Sequence, residues 1–336
     1  MDLHTVQKGI QKIDYRKKLG KTVHLFFGID DAFVEPMAVC ALSILQANPD
    51  EQFIFHVIID WISPDNLERL KQTALRHAMC IYLHFVDVSV FDSFSSSVFY
   101  TKAIYYRLLM PYLLEEDIDR ALYLDADILC LHGFSSLWTM RIQDYVLAAV
   151  EDQVPVGTHV KHEADSSVER LRALGIPCHW YFNSGVMLVN LPLWRQEKVF
   201  ERVLSTLQQY HKVFTLWDQD ALNAVLHDNV LALEKKYNFM YSVCYVETPI
   251  PALEKISLLH YASRYKPWQA WCSHPLQKLY LQVRKQTAWA DLSLMQPRNY
   301  KEMRSMGKSM WQRKRYKESF QWSGRYLWEK FKSKVQ

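Results

Sequence analysis

The chain has 336 residues, 49% of them apolar and 23% charged, which suits one large α/β domain with an appendage and argues against a disordered or fibrous protein. Its nine glycines never approach the spacing G-x-G-x-x-G or G-x-x-x-x-G-K, so a Rossmann dinucleotide loop and a P-loop are both disfavoured. The net charge of +4 is uneven, because residues 298–336 carry twelve Lys or Arg against three acids, net +9, which leaves the body at −5.

Strands and helices alternate from the start. Residues 23–29 are predicted as a first buried strand ending at Asp30-Asp31. Those carboxylates either cap the next helix or face a ligand at the carboxyl end of a sheet. A helix over 38–46, a strand over 53–59, a helix from Ser63-Pro64 to about 78 and a strand over 81–86 follow. A serine-rich loop at 93–97 leads to a helix over 102–113 that carries Arg107.

The central stretch is Leu122-Tyr123-Leu124-Asp125-Ala126-Asp127-Ile128-Leu129, an apolar run holding two carboxylates. Read as one strand, it points Asp125 and Asp127 to the same face. Two same-facing carboxylates in a buried strand call for a cation, and paired oxygen ligands suit Mn²⁺ or Mg²⁺. The alternative is that both residues open a solvated loop at the strand end. Asp-x-Asp also occurs at Asp117-Ile118-Asp119, after Glu115 and Glu116, and at Asp218-Gln219-Asp220, so context singles out the copy at Asp125.

A strand over 146–150 comes next, then a polar stretch from 151 to 180 that reads as a flap over the site. Tyr181-Phe182-Asn183-Ser184-Gly185-Val186 begins another strand through a polar corner, and a helix over 193–209 follows. Asp218 suits a helix N-cap by type and position. Short strands are predicted over 230–233 and 258–262, the latter holding His260, before Lys266-Pro267-Trp268 breaks the pattern. The alternation predicts a mostly parallel, doubly wound α/β sheet. The expected divisions are an extension at 1–22, a catalytic domain at 23–295 and a basic, aromatic helical tail at 296–336. Six scattered cysteines without C-x-x-C read as reduced thiols of a cytosolic protein. No apolar run is long enough for a membrane span, and residues 1–21 lack the apolar core of a secretory signal.

In their order, Phe27-Gly28-Ile29-Asp30, Tyr106-Arg107-Leu108, Asp125-Ala126-Asp127, Tyr181-Phe182-Asn183-Ser184-Gly185, Asp218-Gln219-Asp220 and His260-Tyr261 with Lys266-Pro267-Trp268 form a set. With that set the chain resembles the retaining glycosyltransferases of family 8, among them bacterial enzymes that add hexoses to the lipopolysaccharide outer core. The resemblance implies a GT-A nucleotide-sugar fold and transfer of glucose or galactose from a UDP-sugar, forming an alpha linkage. It implies Mn²⁺ or Mg²⁺ on Asp125, Asp127 and His260, and donor contacts from Phe27, Gly28, Asp30, Arg107, Asn183, Asp218 and Lys266. Gln219 would lie nearest the anomeric carbon, with Asp218 beside it. Ala32 and Ser263 depart from the pattern, which has Asn and Gly there.

Two other readings compete. A haloacid-dehalogenase phosphatase also places D-x-D after an apolar strand, but the G-D-x-x-x-D it needs is absent. A nucleic-acid binder would use the basic tail, yet the acidic body and the lack of any binding signature favour no nucleic-acid partner. The tail's mix of Tyr300, Trp311, Tyr316, Phe320, Trp322, Tyr326, Trp328 and Phe331 with basic residues instead suggests an anionic membrane surface. The expected location is therefore the cytoplasmic face of the inner membrane, where a lipid-anchored acceptor would be met.

Overall fold

Apolar runs bounded by polar turns build a mixed sheet. The computed structural model describes residues 6–17, 22–92, 94, 101–152, 168–177, 180–210, 213–241, 252–262 and 265–335. Strands β1 (Gln7–Asp14), β2 (Thr22–Gly28), β3 (Gln52–Ile59), β4 (Cys80–Val86) and β5 (Arg120–Leu124) form one side of it. β2 pairs in parallel with β3 and β5, and β3 with β4. Helices α1 (Val34–Ala47) and α2 (Pro64–His77) make the crossovers. The Ser63 hydroxyl caps α2 on the Asn66 amide, and Ala78 closes it in the left-handed region at φ 53°.

Beyond β5 the sheet changes direction. A three-stranded second sheet begins with β6 (Ile128–Cys130), while β7 (Leu147–Glu151), β8 (Phe182–Asn190) and β9 (Val230–Ala232) complete the first, in the order β1-β4-β3-β2-β5-β8-β7-β9. β8 runs antiparallel to both β5 and β7, β1 antiparallel to β4, and β9 parallel to β7. Among the described residues the sheet therefore has four parallel and three antiparallel pairings. The second sheet pairs β6 with β11 (Leu258–His260), and β11 with β10 (Phe239–Met240).

Three local expectations change. The strand expected to run through Asp125 and Asp127 stops at Leu124, and the chain turns into β6 in the other sheet. Residues 102–112 form a 3-10 helix ending over Pro111, which supplies no amide donor. The helix expected over 193–209 is two helices, α4 (Leu191–Gln196) and α5 (Val199–Gln209), broken where Lys198 adopts φ 49°. A short α3 (Ser135–Trp138) precedes them, and α6 (Trp217–Leu226) follows. β1 lies in the segment set apart as an extension, where alternating half-buried and exposed side chains suit an edge strand.

Contacts divide the chain into two units, Met1–Met240 with Ala252–His260, and Tyr241–Pro251 with Tyr261–Gln336. In the first, Phe26, Tyr105, Tyr123, Met187 and Trp194 belong to one large buried cluster. Each such side chain contributes roughly 2–3 kcal/mol by leaving water. In the second, α7 (Gln277–Arg284), α8 (Tyr300–Gln312) and α9 (Tyr316–Val335) are the helices, and Met306 and Met310 of α8 pack with Ala270 and Trp271. Cys40, Cys80, Cys130 and Cys272 are buried free thiols, whereas Cys178 and Cys244 lie outside the described residues. Most of the 151–180 segment and of the serine-rich loop, together with Ser263, also lies outside them. Among the described residues, no helix is long and apolar enough to cross a membrane.

Candidate active site

The site is assembled where β5 ends. The Asp125 amide still reaches Gly185 O of β8 at 2.8 Å, then Ala126 and Asp127 turn the chain away. Asp125 Oδ1 accepts from Arg107 Nη2 at 2.9 Å and from the Tyr123 hydroxyl at 3.0 Å. The two carboxylates therefore do not share a face of one strand. A turn brings them together, and β11 adds His260: its Nε2 lies 3.1 Å from Asp127 Oδ1 and 3.9 Å from Asp125 Oδ2.

One ligand atom from each of Asp125, Asp127 and His260 falls within 4.8 Å of the others. Gly185 closes the cradle from beneath. A Cβ built there would stand 2.5 Å from His260 Cε1, 2.7 Å from Asp125 Oδ2 and 2.9 Å from Asn183 Oδ1. Two carboxylate oxygens and an imidazole nitrogen converging on so small a space fit a hard divalent cation.

Arg107 ties this corner to its neighbour. Its Nη1 donates to Ser184 O and Oγ, both at 2.8 Å, and its Nε lies 3.1 Å from Asp218 Oδ2. Burial works against the guanidinium charge, but the carboxylates of Asp125 and Asp218 outweigh it and raise its pKa. Burial lifts the Asp218 carboxyl to about 6, against the opposing pull of Arg107. Asp218 is not the N-cap of α6, since Leu216 holds that place and Asp218 is buried inside the first turn.

Gln219 sits in a saturated network. Its Nε2 donates to Asp152 Oδ2 at 3.0 Å and to the Tyr181 hydroxyl at 3.2 Å. Its Oε1 accepts from Ser184 N at 3.0 Å, Asn183 Nδ2 at 3.1 Å and Ser184 Oγ at 3.3 Å. Tyr181 in turn donates to Asp220 Oδ1 at 2.7 Å, and Asp220, fully buried, also accepts from Arg170 and from the amides of Thr215 and Leu216, each at 3.0 Å. The amide of Gln219 is thus clamped rather than free to rotate.

The family model for glycosyl transferase family 8 matches residues 24–272, and that for its C-terminal region matches 274–330. The chain belongs to glycosyl transferase family 8. It is 28% identical over 300 residues to lipopolysaccharide 1,3-galactosyltransferase of Salmonella typhimurium, covering 87% of each chain. It is also 28% identical over 331 residues to lipopolysaccharide glucosyltransferase WaaO of Escherichia coli, covering 95% of each. The solved galactosyltransferase LgtC, in complex with donor and acceptor sugar analogs, superposes with a TM-score of 0.68 at 24% identity, over 79% of this chain and 96% of that one. That likeness carries the GT-A fold expected from the sequence. Membership of family 8 makes the protein a glycosyltransferase and displaces the phosphatase reading and that of a non-enzymatic protein.

The other residues expected from family 8 are placed as follows. The Phe27 side chain is fully buried beside Phe55, which leaves it no side-chain surface for a ligand. Gly28 lets the 3-10 helix approach: a Cβ would meet Tyr106 Cβ at 3.0 Å. Asp30 accepts from the Ala32 amide and the Thr101 hydroxyl, both at 3.0 Å, and caps the short 3-10 turn Asp31–Phe33 rather than α1, which has no side-chain cap. Asp31 binds Ser63 N at 2.8 Å. Lys266 belongs to the second unit, where its Nζ donates to Tyr261 O at 3.0 Å. Sequence reasoning missed Asp152 and Asn238, both buried in the network. Asp152 follows the end of β7, and the rule that drew notice to Asp30 could have found it. Asn238 carries no such signal.

Proposed function

We propose that this family-8 glycosyltransferase moves glucose or galactose from a UDP-sugar to the lipopolysaccharide outer core, with retention of configuration. The convergence of Asp125, Asp127 and His260, with Asp125 and His260 filling the space that a Cβ on Gly185 would take, carries this reading. These three residues would hold Mn²⁺ or Mg²⁺, which supplies charge neutralisation for the diphosphate leaving group. Arg107 keeps Asp125 and Asp218 at fixed positions while itself remaining charged. Gln219 presents an amide whose orientation is set by Asp152 on one side and Ser184 on the other. Such a dipole, fixed in advance, can favour a developing sugar cation without reorganising. Asn183 and Asp218 border the same space and Lys266 is assigned to the diphosphate, as family 8 implies; Phe27, Gly28 and Asp30 are assigned to the nucleoside.

The acceptor reading rests on the relatives named for lipopolysaccharide transfer. It is joined to a membrane reading of the C-terminal helices, the anionic cytoplasmic face of the inner membrane. Support comes from exposure on α8 and α9: Trp311, Tyr316, Phe320, Leu327, Trp328 and Phe331 all face solvent. Trp322 does not belong with them, because it packs against the cluster of Met306 and Met310.

Binding of UDP to wild type, Asp125→Asn and Asp127→Asn, titrated with and without Mn²⁺, tests the site. The expected result is Mn²⁺-dependent binding by wild type and its loss in both variants, with unchanged melting behaviour. A variant that keeps near-normal Mn²⁺ dependence removes its residue from the metal site.

A further inference from the structure

Asn183 and Asn238 connect the Gln219 side of the site to the His260 side, and the chemistry of their partners leaves one arrangement of hydrogens. The Gly185 amide donates at 3.0 Å to an Asn183 atom, which must therefore be the oxygen, Oδ1. The other terminal atom faces the Asp152 carboxylate at 3.0 Å and must be Nδ2. Asn238 reaches Asn183 Oδ1 at 2.8 Å, and only its Nδ2 can donate there. Its Oδ1 is thereby turned to His260 Nδ1, at 2.8 Å, where an oxygen requires an N–H. Asn238 and His260 are 1% and 3% exposed, so water does not offer a substitute partner.

We propose that Asn238 is a positioning residue that keeps the His260 proton on Nδ1 and so reserves Nε2 as the ligand nitrogen. The proton on Nδ1 follows from hydrogen bonding alone, whereas Nε2 stands 3.1 Å from Asp127 Oδ1 and is left bare only by a bound cation, so this consequence rests on the metal reading above. A backbone amide and a carboxylate, neither of which can exchange donor for acceptor, fix both terminal atoms of Asn183, and Asn183 in turn fixes Asn238. The same chain makes Gln219 and His260 neighbours through shared partners, since Asn183 Nδ2 also donates to Gln219 Oε1 at 3.1 Å. In the other neutral tautomer Nε2 would carry the proton and could not ligate.

Nitrogen-15 spectra of the His260 ring in the full chain, metal-free and with Mg²⁺ plus UDP, test the assignment, alongside Mn²⁺ titration of wild type and Asn238→Leu. The expected spectrum has a protonated Nδ1 in wild type in both conditions. Asn238→Leu should lose that single assignment and bind Mn²⁺ about 10–100-fold more weakly. A wild-type ring with a bare Nδ1 and a protonated Nε2 overturns the proposal, as does a folded Asn238→Leu that binds Mn²⁺ like wild type. Should Asn238→Leu fail to fold, the wild-type spectrum decides by itself. If wild type binds no Mn²⁺ yet shows the protonated Nδ1, the metal reading falls and the hold of Asn238 on the ring stands.

Discussion

Gly185 is the residue on which the proposed metal corner depends most directly. Its absent Cβ leaves room for His260 Cε1 and Asp125 Oδ2, at 2.5 and 2.7 Å from where that atom would be. His260 is 3% exposed and held from behind by Asn238, so it has little room to retreat. Gly185→Ala is expected to cost about 1–3 kcal/mol of stability by overpacking and to weaken Mn²⁺ binding by at least about tenfold. Denaturant unfolding together with Mn²⁺ titration checks both, and an unchanged Mn²⁺ affinity would contradict this account of the cradle. Tyr181 acts through Gln219, the residue proposed to lie nearest the sugar. Removing its hydroxyl leaves the Gln219 amide with one anchor fewer and Asp220 Oδ1 without its donor. Tyr181→Phe should therefore lower kcat about tenfold or more with little change in donor KM, because a misaligned amide harms mainly the transition state. Steady-state kinetics distinguishes this from a raised KM at constant kcat, which would assign Tyr181 to donor binding.

At the scale of elements, the buried strands were legible because parallel strands read as continuous apolar runs, as 53–59 and 81–86 do. The Asp125 corner was legible as chemistry but not as geometry. A period-two argument assumes the strand continues, whereas here β5 hands the chain to a second sheet. β1 escaped notice because an edge strand needs only one half-buried row, and QKGIQKID supplies it with charges on the other. Asn238 was illegible for a different reason: a single amide acquires meaning only from partners at positions 183 and 260.

One element-level feature bears on stability. His24, His56 and His84 stand on β2, β3 and β4 and form a hydrogen-bonded row at 3.0 and 2.9 Å. Burial lowers the pKa of His84 to about 4 and that of His56 well below its ordinary value, with Lys12 of the neighbouring edge strand adding to both. The folded pKa of His84 lies below the unfolded value of 6.5, so the unfolded chain takes up the proton first. Stability from this group is full above pH 6.5 and is lost as pH falls toward 4, by up to about 3 kcal/mol. His84→Gln should flatten the decline of urea midpoint over that range. An equally steep decline in the variant would show that His84 is not its source.

At the scale of the whole molecule, the proposed function requires both donor binding and an encounter with the acceptor. The exposed aromatic and aliphatic side chains of α8 and α9 stand among the twelve basic residues of 298–336. Each such cation near an anionic surface is worth roughly 1 kcal/mol, reduced by salt. Removing the whole tail would also remove Met306 and Met310 from the core of the second unit, so point changes are the better test. Phe320→Ser, Leu327→Ser and Phe331→Ser combined should abolish flotation with anionic vesicles at low salt, while UDP-sugar hydrolysis without acceptor is unchanged. Failure of the wild type to float under those conditions would rule out the membrane role.

The most direct test of the central claim is transfer from UDP-glucose and UDP-galactose to truncated lipopolysaccharide, with the product's anomeric configuration determined by NMR. Metal is first removed with a chelator and Mn²⁺ then restored. The expected result is an alpha-linked product from one of the two donors, no turnover after chelation and full turnover when Mn²⁺ returns. An inverted product, or turnover that chelation leaves untouched, would contradict a metal-dependent retaining transferase built on Asp125, Asp127 and His260.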